Sequence, residues 1–231
     1  MIVIAIDGPA GSGKSTLAKN LAQALGFVYL DTGAMYRALA LKAQRLGIRP
    51  DDAERLAQLA ESLAVEFRRD ASGEQRVYLD GEDVSEAIRT PEVSNLASQI
   101  SVHKGVRQAM VARQRAIGAQ VSGLVAEGRD TTTVVFPNAT LKIFLTASPE
   151  ERARRRQHQL QMQGIEVPYE QVLQEILERD QRDSTRAESP LTEAPDAVRI
   201  VNDGWTKEQT LAYALQICRE RLGLPAEAPH G

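Results

Sequence analysis

The chain has 231 residues, 28 Lys and Arg against 31 Asp and Glu, a formal charge of −3 and one cysteine, Cys218. A chain of this length buries a core without disulfides or structural metal, and a lone thiol allows no internal disulfide. The near-neutral balance announces neither nucleic acid nor an anionic membrane, no apolar run approaches a membrane span and no signal sequence opens the chain, so a soluble, cytoplasmic protein is the expectation.

The apolar run Ile2-Val3-Ile4-Ala5-Ile6 reads as a buried strand over residues 2–7. Directly after it, Gly8-Pro9-Ala10-Gly11-Ser12-Gly13-Lys14-Ser15-Thr16 fills every position of the pattern G-x-x-x-x-G-K-[ST] and leads into a helix over 14–25. The glycines let the backbone curl into a nest of N–H donors around phosphate oxygens, and the positive end of the helix points at the same anion. A nucleoside triphosphate is the expected ligand, with Lys14 reaching its β- and γ-phosphates and Ser15 holding Mg²⁺. A glycine-rich helix cap that binds nothing is the plainer reading, and the strand-to-helix context weighs against it.

A second strand over 27–31 ends in Asp31-Thr32-Gly33-Ala34-Met35-Tyr36-Arg37, which opens a helix over 34–46. A hydroxyl, a glycine and an arginine there suit a second phosphate group. An ordinary N-cap from Asp31 or Thr32, with Arg37 on a solvated face, accounts for the same residues. Between 51 and 91 the rhythm breaks. After a short helix over 52–63, segments 65–67 and 76–79 alternate apolar and polar about the turn signal Asp70-Ala71-Ser72-Gly73, and a second turn follows at Asp80-Gly81-Glu82-Asp83. This is a small antiparallel insertion, after which a helix over 92–117 resumes the pattern.

The third core strand, 123–127, ends in Ala126-Glu127-Gly128-Arg129-Asp130. A carboxylate at that point orders Mg²⁺-bound water, which makes Glu127 the metal candidate and sets Arg129 and Asp130 to meet a bound nucleotide. A structural ion pair at a turn is the alternative. Beyond a strand over 141–146, Arg152, Arg154, Arg155 and Arg156 crowd a helix over 150–163. On the next helix, 169–182, Arg179, Arg182, Asp183 and Arg186 follow i, i+3, i+4, i+7 spacing and share a face. A solvated basic face, a nucleic-acid groove and a clamp for phosphoryl transfer all explain such groups, and beside a phosphate loop the third is favoured. A strand over 197–202 and a helix over 207–221 follow, and the tail 225–231 is expected to be disordered. His103, His158 and His230 have neither metal-ligand spacing nor a nucleophile partner. Strands alternating with helices predict an α/β protein with a five-stranded parallel sheet covered on both faces.

With the phosphate loop, Asp31-x-Gly33-x-x-Tyr36-Arg37, Gly128-Arg129-Asp130 followed by Val134-Val135-Phe136-Pro137, and Arg179-Asp180-x-x-Asp183-x-x-Arg186 in this order, the chain resembles the bacterial cytidylate kinases over nearly its whole length. Gly81-Glu82-Asp83-Val84-Ser85, Ile88-Arg89 and Ala97-Ser98-Gln99 before Arg107 are similar to that family as well. The resemblance implies a P-loop NTPase three-layer α/β/α fold with its core in 1–50, 91–149 and 183–224, a nucleoside-monophosphate-binding insertion at 51–90, and a short helical lid with flanking helices at 150–182. It implies transfer of the γ-phosphoryl of ATP to CMP or dCMP with Mg²⁺ bound, ATP being held by Gly8, Pro9, Ala10, Gly11, Ser12, Gly13, Lys14, Ser15 and Thr16.

By the same resemblance, Ser98, Arg107 and Asp130 match residues that read the cytosine edge, and Arg179 and Asp183 those that hold the sugar. Thr32, Tyr36, Arg37, Arg129 and Arg186 match those around the acceptor phosphate, while Lys14, Arg129, Arg155, Arg156 and Arg186 would stabilise the transferred group. Two positions depart from the pattern: Thr32 stands where some members have Ser, which keeps the hydroxyl, and Glu127 where some have Asp, which changes reach. A P-loop kinase for another monophosphate or for shikimate is the competing enzyme, and an RNA-binding module the competing non-enzyme. A guanine-reading [NT]-K-x-D motif does not occur. The expected partners are the small-molecule substrates alone, with no nucleic acid and no membrane, and the expected state is a monomer.

Overall fold

A computed structural model describes residues 1–223; the tail 225–231 lies outside them. In chain order the elements are β1 (Ile2–Asp7), α1 (Lys14–Leu25), β2 (Val28–Asp31), α2 (Thr32–Arg45), α3 (Ala53–Glu61), β3 (Val65–Arg69), β4 (Gln75–Leu79), β5 (Glu82–Asp83), α4 (Pro91–Ile100), α5 (Lys104–Gly118), β6 (Gly123–Gly128), β7 (Leu141–Thr146), α6 (Pro149–Met162), α7 (Tyr169–Thr185), β8 (Val198–Val201) and α8 (Lys207–Leu222). Five strands form one sheet in the order β2-β6-β1-β7-β8, and β3-β4-β5 form a second. The fold is α/β, as the alternation of strands and helices predicts.

Two compact units divide the chain. The first comprises Met1–Leu30, Gly118–Thr185 and the described residues from Ser189 onward; the second comprises Asp31–Ile117 with Arg186–Glu188. The second unit is therefore larger than the 51–90 insertion.

In the first unit β1 pairs in parallel with β6 and β7, with Ile4 opposite Val125 and Leu141. Burial runs continuously along β1 and β6 instead of alternating, which explains the unbroken apolar runs that mark both strands in the sequence. Ile4, Ile6, Val125, Ile143, Leu145 and Ile200 of the sheet meet Leu17 and Leu21 of α1 and Ala214 and Cys218 of α8 in one apolar cluster. Cys218 is a core residue, and burial pushes its thiol up to about 11. The cluster anchors α1, so the phosphate loop that enters α1 rests on the packed centre of the sheet. Ser148 caps α6 ahead of Pro149, and α6 closes on α7 through Ala153, Leu160, Val172 and Ile176.

In the second unit α2 packs on α4 and α3. Asp31 caps α2 and Asp52 caps α3, each through its carboxylate. A Cβ on Gly105 would come 2.7 Å from the Cβ of Ala57, so this glycine lets α5 lie close on α3.

Three local expectations are corrected, and one feature is added. The helix expected over 92–117 is two helices, separated at residues 101–103. The expected second turn at 80–83 contains a third strand, β5, reached through the positive-φ residues Asp80 and Gly81. Helix α7 extends to Thr185 but stops short of Arg186, which belongs to the other unit and so shares no helical face with Arg179 and Arg182. Finally, Thr131–Val135 forms a single wide π turn that nothing in the sequence announces. Asp7 holds it: the N–H and hydroxyl of Thr131 donate to Oδ1 at 2.9 and 2.6 Å, and those of Thr132 to Oδ2 at 2.7 and 2.6 Å.

Candidate active site

The phosphate loop runs from the end of β1 into α1. Gly11 and Gly13 have φ of 76° and 87°, a region that side-chain-bearing residues rarely occupy, and they curl the backbone so that it enters α1 at Lys14. Lys14 is 6% exposed and its Nζ donates to the carbonyl of Pro9 at 3.3 Å. Burial, then the neighbouring charge of Arg129, lowers its pKa to about 7, with Glu127 partly opposing the shift.

Beside it, Ser15 Oγ donates to Glu127 Oε1 at 2.7 Å, and the Tyr29 hydroxyl donates to the same oxygen at 3.2 Å. Glu127, 3% exposed, sits one residue before the end of β6. Among the described residues there is no cluster of three or more His, Cys, Asp or Glu that could cage a metal. Mg²⁺ needs no such cage: it keeps waters and takes one or two hard oxygen ligands beside a substrate phosphate, which the hydroxyl and carboxylate here fit.

Past β6, Arg129 Nε donates to Asp183 Oδ2 on α7 at 2.9 Å, and Arg179 Nε lies 4.0 Å from the same oxygen. The structure thus brings Arg129, Arg179 and Asp183 together. Asp130 is 3% exposed, and its carbonyl accepts from the N–H groups of Val134 and Val135, which locks it to the π turn.

The arginines of α6 play unlike parts. Arg155 donates to Ser12 O at 3.4 Å, to Asn202 Oδ1 at 3.1 Å and Asn202 O at 2.8 Å, and to Glu151 at 3.1 Å. It braces the phosphate loop against the chain after β8, and Asn202 Nδ2 donates to Ser12 O at 3.1 Å from the other side. Arg156 reaches Gln159 at 2.9 Å, and Arg154 pairs with Glu151 at 3.0 Å on the surface.

The second unit holds its own polar cluster. Asp31 caps α2, as the plainer reading of that segment expects, and its carboxylate also accepts from Arg37 at 2.9 Å, a pair that neither reading named. Thr32 and Ser98 are buried, 3% and 5% exposed. Arg107 stacks over the Tyr36 ring at 5.2 Å and donates to Ser101 O at 3.0 Å, and Arg186 donates to Ser101 Oγ at 3.4 Å. Arg107 and Arg186 thereby meet at Ser101, with Tyr36 against Arg107.

Sequence reasoning missed Asp7, Tyr29, Ser101 and Asn202 as parts of these networks. Asn202 was within reach, since it ends the strand expected over 197–202 as Asp31 and Glu127 end theirs. Ser101 carries no signal of its own.

A left-handed glycine loop running from a parallel strand into a helix, with a buried lysine and a hydroxyl–carboxylate pair beneath it, defines a P-loop nucleotide-binding protein. The solved structure of TT1252 from Thermus thermophilus shares this fold, with a TM-score of 0.50 at 20% identity over 96% of this chain and 97% of that one. The family model described as cytidylate kinase matches residues 4–220. Curated relatives agree: a cytidylate kinase of Solibacter usitatus is 52% identical over 96% of this chain and 94% of its own length, and one of Pelotomaculum thermopropionicum is 55% identical over 84% and 85%. A bifunctional pantoate ligase/cytidylate kinase of Synechococcus is 47% identical, but the match spans 46% of its length. The chain belongs to the cytidylate kinase family. It is an enzyme of the nucleoside monophosphate kinase type, and membership of a kinase family brings ATP with it as co-substrate. No helix among the described residues is long and apolar enough to cross a membrane.

Proposed function

We propose that this chain moves the γ-phosphoryl of ATP onto the 5′-phosphate of CMP or dCMP with Mg²⁺ bound. The observation that carries the reading is the meeting, in one compact unit, of the phosphate loop with Lys14, the Ser15–Glu127 pair and the Arg129–Asp183 pair. Residues 8–16 cradle the triphosphate, and Lys14 follows the moving group as its charge develops. Ser15 would ligate Mg²⁺ and Glu127 would order its bound water, the ion supplying positive charge against the triphosphate.

Asp183 and Arg179 hold the sugar, Asp130, Arg107 and Ser98 read the cytosine edge, and Thr32, Tyr36, Arg37, Arg129 and Arg186 surround the acceptor phosphate. Each role suits its chemistry: carboxylates accept from hydroxyls and the exocyclic amine, and guanidinium forks pair with phosphate. Arg155 acts from beneath the loop by fixing Ser12, and Arg156 from the lid. An acceptor phosphate oxygen is already an anion, so positioning and charge neutralisation carry the rate and no general base is required. Segment 51–90 serves as the monophosphate-binding insertion and 150–182 as the lid with its flanking helices, closing to exclude water.

CMP-dependent release of ADP by the native chain and by Lys14→Ala tests this reading. The variant should lose on the order of a hundredfold or more in kcat, with a smaller rise in KM for CMP. Near-normal turnover would remove the phosphate loop from the reaction.

A further inference from the structure

Arg152 takes no part in the roles above, yet it is among the most deeply committed charges in the first unit. Its side chain is 4% exposed. Nε donates to Ala147 O at 3.0 Å, Nη1 to Ala10 O at 3.0 Å and to Asp180 Oδ1 at 2.9 Å, and Nη2 to Asp180 Oδ2 at 2.5 Å. One guanidinium therefore joins a carbonyl inside the phosphate loop, the approach from β7 to α6, and helix α7. The loop also lies directly on this residue: a Cβ on Gly11 would come 3.1 Å from Arg152 Cβ and 3.2 Å from Arg152 O.

The peptide that joins Ala10 to Gly11 is planar, so anchoring the Ala10 carbonyl sets the direction of the Gly11 N–H on its opposite edge. Arg152 thus fixes the aim of one donor of the loop. At the other end of the contact, Asp180 stands on the turn of α7 that bears Arg179 and Asp183. That turn faces two ways: Asp180 toward the loop through Arg152, and Asp183 toward Arg129.

We propose that Arg152, clamped by Asp180, is a positioning residue for phosphoryl transfer: it registers the ATP-binding loop against the helix whose Arg179 and Asp183 hold the acceptor's sugar. The proposal rests on the functional reading above. In-line transfer is sensitive to alignment, and a misplacement of about 1 Å costs on the order of a hundredfold in rate. The fork geometry is essential, because a lysine carries three donors on one nitrogen and cannot spread them over both Asp180 oxygens and the carbonyls of Ala147 and Ala10.

The test is a double-mutant cycle of Asp180→Asn and Arg152→Lys, read as kcat, as the separate affinities of ATP and CMP, and as melting temperature. Asp180 is partly exposed, so Asp180→Asn should fold, and it keeps the experiment decisive if Arg152→Lys does not. Each single variant, assayed well below its melting temperature, should lose on the order of tenfold in kcat, while each nucleotide binds alone within about threefold of the native value. The double variant should be within about twofold of the worse single one, because the two side chains act as one device. An unchanged kcat at lowered melting temperature, or losses that multiply, would overturn the proposal and leave a purely structural ion pair. Asp183→Asn in parallel separates the two claims: if it leaves KM for CMP unmoved, α7 is not the sugar helix and the functional reading fails, whatever Arg152 does.

Discussion

Ser15 and Glu127, 112 positions apart in the chain, share a hydrogen bond of 2.7 Å at the foot of the phosphate loop. The parallel pairing of β1 with β6 creates this contact, since it carries Glu127 to the level of Ile6, one residue before Asp7 and the loop. With its proton held by the carboxylate, the Ser15 oxygen is left to accept, and in the proposed reaction it would be oriented for Mg²⁺ in advance. Glu127→Gln removes the charge and keeps the shape. The Mg²⁺ concentration for half-maximal activity should rise by about tenfold or more, with metal-free ATP affinity nearly unchanged. An unchanged Mg²⁺ requirement would leave Glu127 as a structural acceptor for Ser15 and Tyr29.

In its proposed role Lys14 should make triphosphate binding depend on pH. Its pKa is lowered from 10.5 to about 7 in the ligand-free chain, chiefly by burial, and phosphate oxygens around it restore the charged form. Between pH 7 and 10.5 binding must therefore take up a proton, and affinity falls as pH rises through that window. Calorimetry at pH 8.5 in buffers of different ionisation heat should reveal the uptake, and Lys14→Met should abolish it. The ligand-free chain carries the opposite sign: the unfolded chain binds the proton that the folded one releases, so stability gains from Lys14 as pH rises through the same window and loses it as pH falls toward 7. A buffer-independent binding enthalpy would mean that Lys14 is charged throughout.

Two glycines of the loop should fail for different reasons. A Cβ on Gly8 would lie 1.9 Å from the carbonyl oxygen of Leu145, so Gly8→Ala forces β1 and β7 apart and should cost about 3 kcal/mol. Nothing comes closer than 4.0 Å to a Cβ on Gly13, where φ is 87°. Gly13→Ala should cost about 1 kcal/mol of backbone strain and lose ATP affinity out of proportion to stability. Equal melting temperatures for the two variants would contradict the distinction.

Much of this was legible beforehand. The apolar runs of β1, β6 and β7 and the glycine–lysine loop write the sheet and the nucleotide site into the sequence, because buried parallel strands need continuous apolar residues and a phosphate nest needs glycines. Other features depend on distant partners and leave no local trace. The apolar periodicity of α4 runs on into α5, so the break at residues 101–103, where Ser101 O accepts from Arg107, hides inside one apparent helix. Arg186 keeps helical spacing with Arg179 although α7 has already ended. Nothing in the sequence separates Arg152 from Arg154, Arg155 and Arg156 beside it, and only the packing of α6 on α7 and the phosphate loop pairs it with Asp180.

Asp183→Asn should weaken CMP and also lower the melting temperature, because Asp183 is 5% exposed and accepts from Arg129. The amide keeps one acceptor oxygen, so the stability loss should be about 1 to 3 kcal/mol. KM for CMP should rise while KM for ATP stays within about threefold, measured where the variant is fully folded. Lost stability with CMP affinity intact would reduce the pair to a structural role.

The acceptor's identity can be measured directly. ADP release should be measured with ATP, Mg²⁺ and, in turn, CMP, dCMP, UMP, AMP, GMP and shikimate. CMP and dCMP should support turnover far above the other four, and Asp130→Ala should narrow the gap between CMP and UMP by losing the acceptor for the cytosine amine. Preferred turnover of shikimate, AMP or GMP, or selectivity between CMP and UMP untouched in Asp130→Ala, would contradict the proposed function.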